Sequence, residues 1–454
     1  MLDFLNNVKP KTIKYYSRFN INDKKNKAHH IYPKNITELK KIFKYAKTKK
    51  QKILCVGNSK SWFDTVSNRH GIIINLKKFN RQIKLNRSKN LCVSSNVTLE
   101  EIYQFLNPLN LTLYNLPGYL NITVGGCISN NVHGKDSFKF GTFAENIIDF
   151  TILLPNGKIK KCSKMINKEI FYAAIGGLGL IGIILNVKLN VKKITPYVIT
   201  ENHKCKDYKQ LIDVIYQDKD KYDYIYSWVD TVRGRGIVFK SKHINLNSTE
   251  FKKNKIKKNL NNLKHLIIKF FLSQIMKRDF MSFLNYIFFI INKRFSKKIE
   301  NIKDIVELSK VNAIDLPNLI YPNSFVEIQF IIPKKKIRIL KNFLKLLKKE
   351  NLSALITGIK IHKKSIGYLT FADEGISISI NIICNYNDKD KISKIKKINN
   401  YIIKNKLKIY LAKDFFLDKS DINLIYPNFK KFLNVKKKFD KQDLLYSDFL
   451  RRIS

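Results

Sequence analysis

The chain has 454 residues, of which 44% are hydrophobic, so it can bury two hydrophobic cores and wholesale disorder is excluded. Lysine and arginine number 86 against 35 aspartates and glutamates, which gives a formal net charge of +51. Such a charge often marks a nucleic-acid-binding protein, but here it is spread along the whole chain. We therefore expect no specific nucleic-acid binding. A solvated basic surface and an anionic partner, either a membrane or a phosphorylated substrate, both stay open.

The cysteine pattern and the apolar runs indicate the compartment. The six cysteines are scattered without a CxxC pair, which argues against a disulfide framework and against a metal site. The N-terminal residues lack an apolar run long enough for a signal peptide, and the longest apolar stretch, residues 280–291, is too short to span a membrane. We predict a cytoplasmic protein, soluble or peripheral at the inner face of the membrane.

The first third of the chain predicts alternating helices and strands. Residues 35–48 and 98–106 each predict a helix, because each begins with capping-box spacing ahead of an apolar periodicity. The apolar runs 52–57 and 71–76 predict strands. Residues 146–162 predict a hairpin around a Pro-Asn-Gly turn.

Residues 177–182, GLGLIG, match the dinucleotide-binding pattern GxGxxG. That pattern has a mechanical meaning only after a strand and before a helix, where the helix N-terminus faces the pyrophosphate. Here the helix-like residues 168–175 come first and the β-rich residues 181–191 follow. We therefore reject a Rossmann site.

From about residue 195 the pattern becomes that of a second unit. Residues 243–322 are lysine-rich and weakly patterned, and helices are predicted at 334–350 and between the last two strands. The predicted strands of this unit lie at 195–205, 222–232, 325–333, 376–384 and 407–414.

Two glycine-containing loops have the composition of a diphosphate site. They are residues 57–61, GNSKS, and residues 116–135, LPGYLNITVGGCISNNVHGK. Backbone N–H groups in such loops can bind a diphosphate, and the Gly125-Gly126 pair permits a close approach of the backbone to a ligand. His133 and Lys135 add a titratable ring and a positive charge.

These loops, their spacing to the hairpin, and the stretch IFYAAIGGLGLIGIIL resemble the flavin domain of the vanillyl-alcohol-oxidase superfamily. Within it, the chain is most similar to the decaprenylphosphoryl-ribose 2-oxidase family, on HGK (133–135), Gln329, YLAKD (410–414) and YSDFLRRI (446–453). The resemblance covers nearly the whole chain, although residues 243–322 match poorly.

The resemblance implies an α+β fold of two domains, a PCMH-type FAD-binding domain and a mixed-sheet substrate or cap domain. We expect residues 1–194 to form the FAD-binding domain and residues 195–412 the substrate domain. Residues 413–454 are expected to return to the FAD domain.

The implied cofactor is FAD. In some relatives a histidine of the first loop is joined covalently to the flavin, but no histidine lies between Gly57 and Asn68, so we predict non-covalent FAD. Cys127, beside Gly126, is the one residue that would contradict this. In the first loop Ser59, Lys60 and Trp62-Phe63 replace the family's glycine, arginine and Tyr-Gly, so the diphosphate is expected to be held differently. The cofactor-binding residues carried over are Gly57, Asn58, Ser59, Lys60, Ser61, Trp62, Gly118, Thr123, Val124, Gly125, Gly126, His133, Gly134, Lys135, Ile183 and Tyr410.

The resemblance also implies the residues of the reaction. Lys413 and His133 are the catalytic candidates for the proton step. The predicted substrate-binding residues are Lys135, Gln329, Lys360, Ser379 and Lys413. Glu327 stands where the family has glutamine, which adds a carboxylate to the pocket. Ser379 stands where mycobacterial enzymes carry the cysteine attacked by covalent inhibitors, so we expect activity with resistance to such compounds.

The function that the resemblance implies is FAD-dependent oxidation of a secondary alcohol on a sugar. The expected substrate is a polyprenyl-phosphoryl ribose, a cell-wall arabinan precursor. Its C2 hydroxyl becomes a ketone, and a short-chain reductase partner completes the epimerisation to arabinose. The alternative is a soluble aldonolactone or alditol oxidase that uses oxygen. A basic membrane- or nucleic-acid-binding protein without activity is the non-enzyme alternative, and it predicts no bound flavin.

Residues 262–295 are basic and aromatic, and two interpretations of them stay open. One is a peripheral contact with an anionic membrane. The other is a helix pair buried in the second domain.

Overall fold

The structure is a computed structural model that describes residues 9–19, 26–245, 281–306, 310–311, 314–315, 324–352, 354 and 357–454. The strands are β1 (Lys11–Thr12), β2 (Lys27–Ile31), β3 (Ile53–Val56), β4 (Ile72–Asn75), β5 (Ile83–Leu85), β6 (Leu91–Ser94), β7 (Leu111–Leu113), β8 (Ile147–Leu153), β9 (Ile159–Ser163), β10 (Ile183–Leu189), β11 (Val191–Lys193), β12 (Tyr197–Cys205), β13 (Tyr224–Asp230), β14 (Arg235–Ile244), β15 (Phe295–Asn301), β16 (Lys310–Val311), β17 (Ile314–Asp315), β18 (Phe325–Pro333), β19 (Thr357–His362) and β20 (Gly375–Ile383). The α-helices are α1 (Ile36–Thr48), α2 (Leu99–Leu106), α3 (Val124–Ser129), α4 (Ser137–Phe140), α5 (Lys168–Ala174), α6 (Tyr208–Tyr216), α7 (Met281–Ile291), α8 (Ile302–Val306), α9 (Ile339–Lys349), α10 (Lys389–Lys404), α11 (Lys419–Ile425), α12 (Phe429–Phe439) and α13 (Asp448–Ile453).

The N-terminal half contains two sheets. The first has the order β1-β2-β4-β3, with β4 parallel to both β2 and β3. The second is antiparallel, with the order β5-β6-β10-β8-β9. The predicted helix starts are confirmed, because the side chain of Asn35 accepts from the N–H of Glu38 and Thr98 forms a capping box with Glu101. The predicted hairpin is confirmed as β8 and β9.

The C-terminal half contains a sheet of seven described strands in the order β15-β12-β14-β13-β19-β20-β18. Side chains alternate across β18, so its two faces have different neighbours. Phe330 packs on Phe343 of α9, with ring centroids 4.8 Å apart, whereas Gln329 hydrogen-bonds His133 of the N-terminal half. One face of the sheet is therefore covered by helices, and the other lies toward the first two sheets.

The α+β fold class is confirmed. The pairings among the described strands of the seven-stranded sheet are all antiparallel, which differs in this detail from the mixed sheet expected. The strand predicted at 407–414 is wrong, because this segment makes a single bridge, from Ile409 to Phe330, and then turns into a 3₁₀ helix at Leu411–Lys413. The N–H of Lys413 donates to the carbonyl of Tyr410 and closes this turn, and just beyond it the Asp414 carboxylate accepts from the N–H groups of Phe416 and Leu417.

The C-terminal segment contacts the N-terminal half. Leu445 forms a parallel bridge with Ile53 of β3, and the Arg452 guanidinium pairs with the Asp64 carboxylate at 2.8 Å. These contacts favour the expected return of residues 413–454, and the three domain boundaries stay a prediction.

Two sequence-based predictions concern the membrane. Within the described ranges, no helix has both the length and the apolar content needed to cross a bilayer. Of the predicted membrane or buried segment 262–295, residues 262–280 lie outside the described residues, and the remainder contains α7.

Candidate active site

A cavity of about 500 Å³ lies between the first two sheets. Its lining includes the loop that follows β3, the start of α3, and the residues that lead into β10. These segments lie far apart in sequence, and the parallel pairing of β3 with β4 and the antiparallel pairing of β10 with β6 bring them together. The cavity therefore lies where the two glycine loops predicted a cofactor.

The walls of this cavity fit a dinucleotide. A Cβ added at Gly57 would lie 2.1 Å from Oγ1 of Thr123, so only glycine lets the two loops approach this closely. In the described part of the chain, the backbone N–H groups of residues 58–61 have no protein acceptor. Two buried acceptor atoms of cavity-lining residues, Oγ1 of Thr65 and Oδ1 of Asn96, have no protein partner there either. Unpaired donors and acceptors around a glycine-lined cleft suit a diphosphate and a polyol.

The structure separates the predicted cofactor residues into two groups. Those that line the cavity are Gly57, Asn58, Ser61, Thr123, Gly125, Gly126 and Ile183. Those outside its lining are Ser59, Lys60, Trp62, Gly118, Val124, His133, Gly134, Lys135 and Tyr410.

The first loop bends at Ser59, although serine replaces the more flexible glycine of the family there. Ser59 adopts a φ of 50°, in the left-handed region that its Cβ disfavours. Lys60, which replaces the family's arginine, lies 4.2 Å from the ring centroid of Tyr16 and 5.1 Å from that of Tyr119. Trp62 stacks on Tyr16, with the two ring centroids 5.0 Å apart. Aromatic rings rather than glycines thus hold this loop in place.

The motif GLGLIG lines the same cavity, which the sequence analysis missed. Helix α5 precedes it and strand β10 follows it, as predicted, so it is not a Rossmann turn. Leu178, Gly179 and Gly182 nevertheless contribute to the wall, with φ values of 55° at Leu178 and 75° at Gly179. The glycine spacing was the signal, and its function depends on a tight turn rather than on a helix N-terminus.

A second polar cluster lies on the uncovered face of the seven-stranded sheet, around His133. The ring of His133 is buried, and its Nε2 lies 2.9 Å from Nε2 of Gln329. The rings of Phe371 and Tyr410 pack beside it at centroid distances of 5.3 Å and 5.6 Å. The backbone N–H of Tyr410 donates to the carbonyl of Gln329 at 2.7 Å, which fixes the 410–414 segment against β18.

Lys413 lies in this cluster as part of an ion pair. Its Nζ is 2.5 Å from Oε1 of Glu327, and the Ser379 hydroxyl donates to the same oxygen. Its Nζ also lies 5.9 Å from the ring centroid of Trp62, which connects the cluster to the first loop. The carboxylate at position 327 therefore engages the predicted catalytic lysine directly.

Lys135 and Lys360 complete the cluster. Nζ of Lys135 donates to the carbonyl of Ile305 and lies 4.1 Å from the ring centroid of Tyr226. Burial, reinforced by the positive charge of Lys360, holds the pKa of Lys135 well below its usual range. Burial and the charge of Lys413 lower the pKa of Lys360 to about 8. Two buried amines with lowered pKa values favour an anionic or oxygen-rich ligand nearby.

The same charges act on His133. Burial is the main cause that holds its pKa well below the usual range, and the positive charges of Lys360 and Lys413 act in the same direction. The imidazole is therefore neutral at physiological pH and can accept a proton. The structure thus brings His133, Lys135, Lys360 and Lys413 into one cluster, together with Gln329.

Two residues of the cluster were missed by the sequence analysis. Nε2 of His362 lies 2.8 Å from Oγ of Ser377, and both side chains are buried on the same face of the sheet. The register of β19 and β20 aligns them with Lys360 and Ser379 of the predicted set. The alternation of polar residues along β20, at positions 377, 379 and 381, was the signal available in the sequence.

Comparison with known proteins assigns the family. Residues 28–163 match the family model described as an FAD binding domain. Residues 188–453, more than half of the chain, match the family model described as D-arabinono-1,4-lactone oxidase. The chain belongs to the D-arabinono-1,4-lactone oxidase family. It is an FAD-dependent oxidoreductase with a PCMH-type FAD-binding domain, as the sequence predicted.

The named relatives of this chain differ in the substrate that their names give. It is 27% identical to L-gulonolactone oxidase of Bos taurus over 43% of this chain and 44% of that protein, so this match covers less than half of either. It is 20% identical to decaprenylphosphoryl-beta-D-ribose oxidase of Mycolicibacterium smegmatis over 88% of this chain and 89% of that protein. It is 29% identical to cytokinin dehydrogenase 3 of Arabidopsis thaliana over 30% of this chain and 27% of that protein.

Proposed function

We propose that this enzyme oxidises the C2 hydroxyl of a polyprenyl-phosphoryl ribose to a ketone, as the first step of an epimerisation to arabinose. The observation that carries the proposal is the cluster of His133, Gln329, Lys360 and Lys413 on one sheet face, connected through Trp62 to the cofactor loop. The match with the mycolicibacterial oxidase, which runs along 88% of the chain, supports this substrate class. A short-chain reductase partner would then reduce the ketone.

The roles of the side chains follow from their charge and contacts. FAD, when bound in the cavity, supplies the acceptor for the hydride that leaves the alcohol carbon. His133 is neutral, so it can take the hydroxyl proton. Lys413, held by Glu327, places a positive charge beside the hydroxyl and favours its deprotonated form. Lys135 and Lys360 bind the phosphate or a sugar oxygen.

A second candidate is a soluble aldonolactone or alditol oxidase that passes electrons to oxygen. The family description and the identity of 27% to L-gulonolactone oxidase favour it. Both candidates oxidise a hydroxyl group of a sugar or a sugar derivative. They differ in the phosphate and the lipid that the lysines of the site would have to accommodate.

Anaerobic bleaching of the flavin separates the two candidates. The oxidised holoenzyme is mixed without oxygen with a polyprenyl-phosphoryl ribose, with L-gulono-1,4-lactone, and with free alditols. Loss of the yellow absorbance with the phosphorylated sugar alone supports the first candidate. Bleaching by lactone or alditol, with hydrogen peroxide formed on re-aeration, supports the second and overturns the first.

Contact with a membrane is proposed for helix α7. Within the described residues, α7 exposes Phe283, Ile290 and Ile291, and cationic residues follow at Lys293 and Arg294. Apolar side chains next to lysine and arginine suit the interface of an anionic bilayer, where a lipid-linked sugar resides.

A further inference from the structure

His133 is the end of a row of four buried side chains that crosses three strands. The first contact joins Nε2 of His362 to Oγ of Ser377 at 2.8 Å. The second joins Oγ of Ser377 to Nε2 of Gln329 at 3.5 Å, and the third joins Nε2 of Gln329 to Nε2 of His133 at 2.9 Å. β19, β20 and β18 carry the first three, and their antiparallel register places them on one face. All four side chains are buried, so water does not compete for these contacts.

The hydrogen bonds of this row run in one direction. The amide Nε2 of Gln329 is a donor, so Nε2 of His133 accepts and the proton of the neutral ring lies on Nδ1. The same amide group donates to the Ser377 hydroxyl, whose own proton then goes to Nε2 of His362. Among the described residues, Nδ1 of His133 and Nδ1 of His362 have no partner. His133 thus presents an unpaired Nδ1–H, and its ring can take the hydroxyl proton only in the other tautomer, in which Nε2 carries the proton and Nδ1 is free.

The three contacts of the row can also form with every hydrogen bond reversed. If His362 carries its proton on Nε2, it donates to Ser377, whose hydroxyl then donates to the amide of Gln329. That amide must turn its oxygen toward both Ser377 and His133, so the proton of His133 moves to Nε2. A hydroxyl has one proton and an amide has one oxygen, so intermediate combinations put two donors or two acceptors against each other and lose one of the three contacts of the row. The protonation of one ring therefore determines that of the other.

We propose that His362, acting through Ser377 and Gln329, determines which nitrogen of the His133 ring carries the proton. His362 is a positioning residue, because the row separates it from the space around Lys413. The consequence for the reaction rests on the proposed function, whereas the coupling of the two rings does not. Burial lowers the pKa of His362 to about 3, so both rings stay neutral and the row transmits a tautomer rather than a charge.

The experiment measures the tautomer of His133 in holoenzyme labelled with ¹⁵N-histidine. Long-range ¹H–¹⁵N correlations distinguish Nδ1–H from Nε2–H, and the signals that His133→Gln removes are assigned to His133. We expect the Nδ1–H form in the wild type and a mixture in His362→Phe and in Ser377→Ala. Ser377→Thr, which keeps the hydroxyl, should restore the wild-type pattern. His203→Phe, on the same sheet but outside the row, is the matched control and should leave the pattern unchanged.

The kinetic result should follow the spectra. Because only the Nε2–H form leaves Nδ1 free to take a proton, we expect kcat to rise about threefold to tenfold in Ser377→Ala with KM unchanged, and to keep the wild-type value in Ser377→Thr. An unchanged His133 pattern in flavin-bound His362→Phe and Ser377→Ala would overturn the proposal. If His362→Phe does not fold, the comparison of Ser377→Ala with Ser377→Thr tests the proposal. If no sugar reduces the flavin, the proposed function fails while the tautomer measurement, which needs no substrate, still decides the coupling.

Discussion

Nζ of Lys413 lies 2.5 Å from Oε1 of Glu327, and this ion pair joins the C-terminal segment to strand β18. Glu327 is only 3% exposed, and the Ser379 hydroxyl donates to the same oxygen. A buried carboxylate of this kind needs its cationic partner, and the partner needs the carboxylate. The change from the family's glutamine is therefore a change in the charge of the site.

Replacing the Glu327 carboxylate should destabilise the protein. Glu327→Leu leaves the Lys413 charge without its partner, so we expect the free energy of unfolding to fall by about 1–3 kcal/mol, less than for a fully buried pair because Lys413 is partly exposed. Glu327→Gln, which still accepts hydrogen bonds, should lose less. Urea denaturation of the holoenzyme measures both. Asp390→Asn, which breaks the exposed pair with Lys394, is the control and should cause no measurable change.

A side chain at Gly57 should weaken FAD binding. Gly57→Ala places a Cβ 2.1 Å from Oγ1 of Thr123, so the two loops must separate, and we expect the Kd for FAD to rise at least about tenfold. Titration of apoprotein with FAD measures this. Gly358→Ala, whose Cβ would lie 3.7 Å from the nearest atom, should bind FAD like the wild type. Equal affinities of the two variants for FAD would show that FAD binding does not depend on the close approach of Gly57 to Thr123.

The flavin should be released by acid. Cys127, the one residue that could contradict non-covalent FAD, is fully buried, and burial raises the pKa of its thiol well above the usual range, so the reactive thiolate is disfavoured. Precipitation of the holoenzyme with trichloroacetic acid should leave the yellow colour in the supernatant, for the wild type and for Cys127→Ser alike. A yellow wild-type pellet that turns white in Cys127→Ser would identify a covalent bond at this residue.

The binding of a phosphorylated substrate should weaken at alkaline pH. The pKa of Lys360 is lowered to about 8, so its amine is charged below that pH and neutral above it. If the charged form binds the phosphate, KM should rise by up to about tenfold per pH unit above 8. In Lys360→Arg, which stays charged, the rise should disappear. A KM that rises equally in both proteins would assign the pH dependence to another group.

The membrane contact predicts salt-sensitive sedimentation with vesicles. At low salt the protein should pellet with vesicles that contain phosphatidylglycerol but not with pure phosphatidylcholine, and high salt should reduce the fraction bound. Ile291→Ser in α7 should lower binding, whereas Met165→Ser, at an equally exposed site outside α7, should not. Absence from the pellet at both salt concentrations would contradict the contact.

Local signals were sufficient for much of the fold. The caps at Asn35 and Thr98 and the Pro-Asn-Gly turn depend on residues within a few positions, so the sequence predicts them directly. The strand prediction for residues 407–414 was wrong because the structure of this segment depends on residues far away in the sequence. Its apolar alternation is typical of a strand, but its pairing depends on contacts with the distant strand β18, and these end where the 3₁₀ turn begins.

The sequence by itself determined the family and the cofactor, because glycine spacing and the HGK motif are local patterns, whereas the residues that it predicts around the cofactor stay a prediction. Only the tertiary structure decided what those residues contact. It brings Gln329 to His133 across 196 positions, pairs Lys413 with Glu327, and adds His362 and Ser377 to the row. It also makes His133 neutral, because desolvation and neighbouring charge act through space and no sequence pattern contains them.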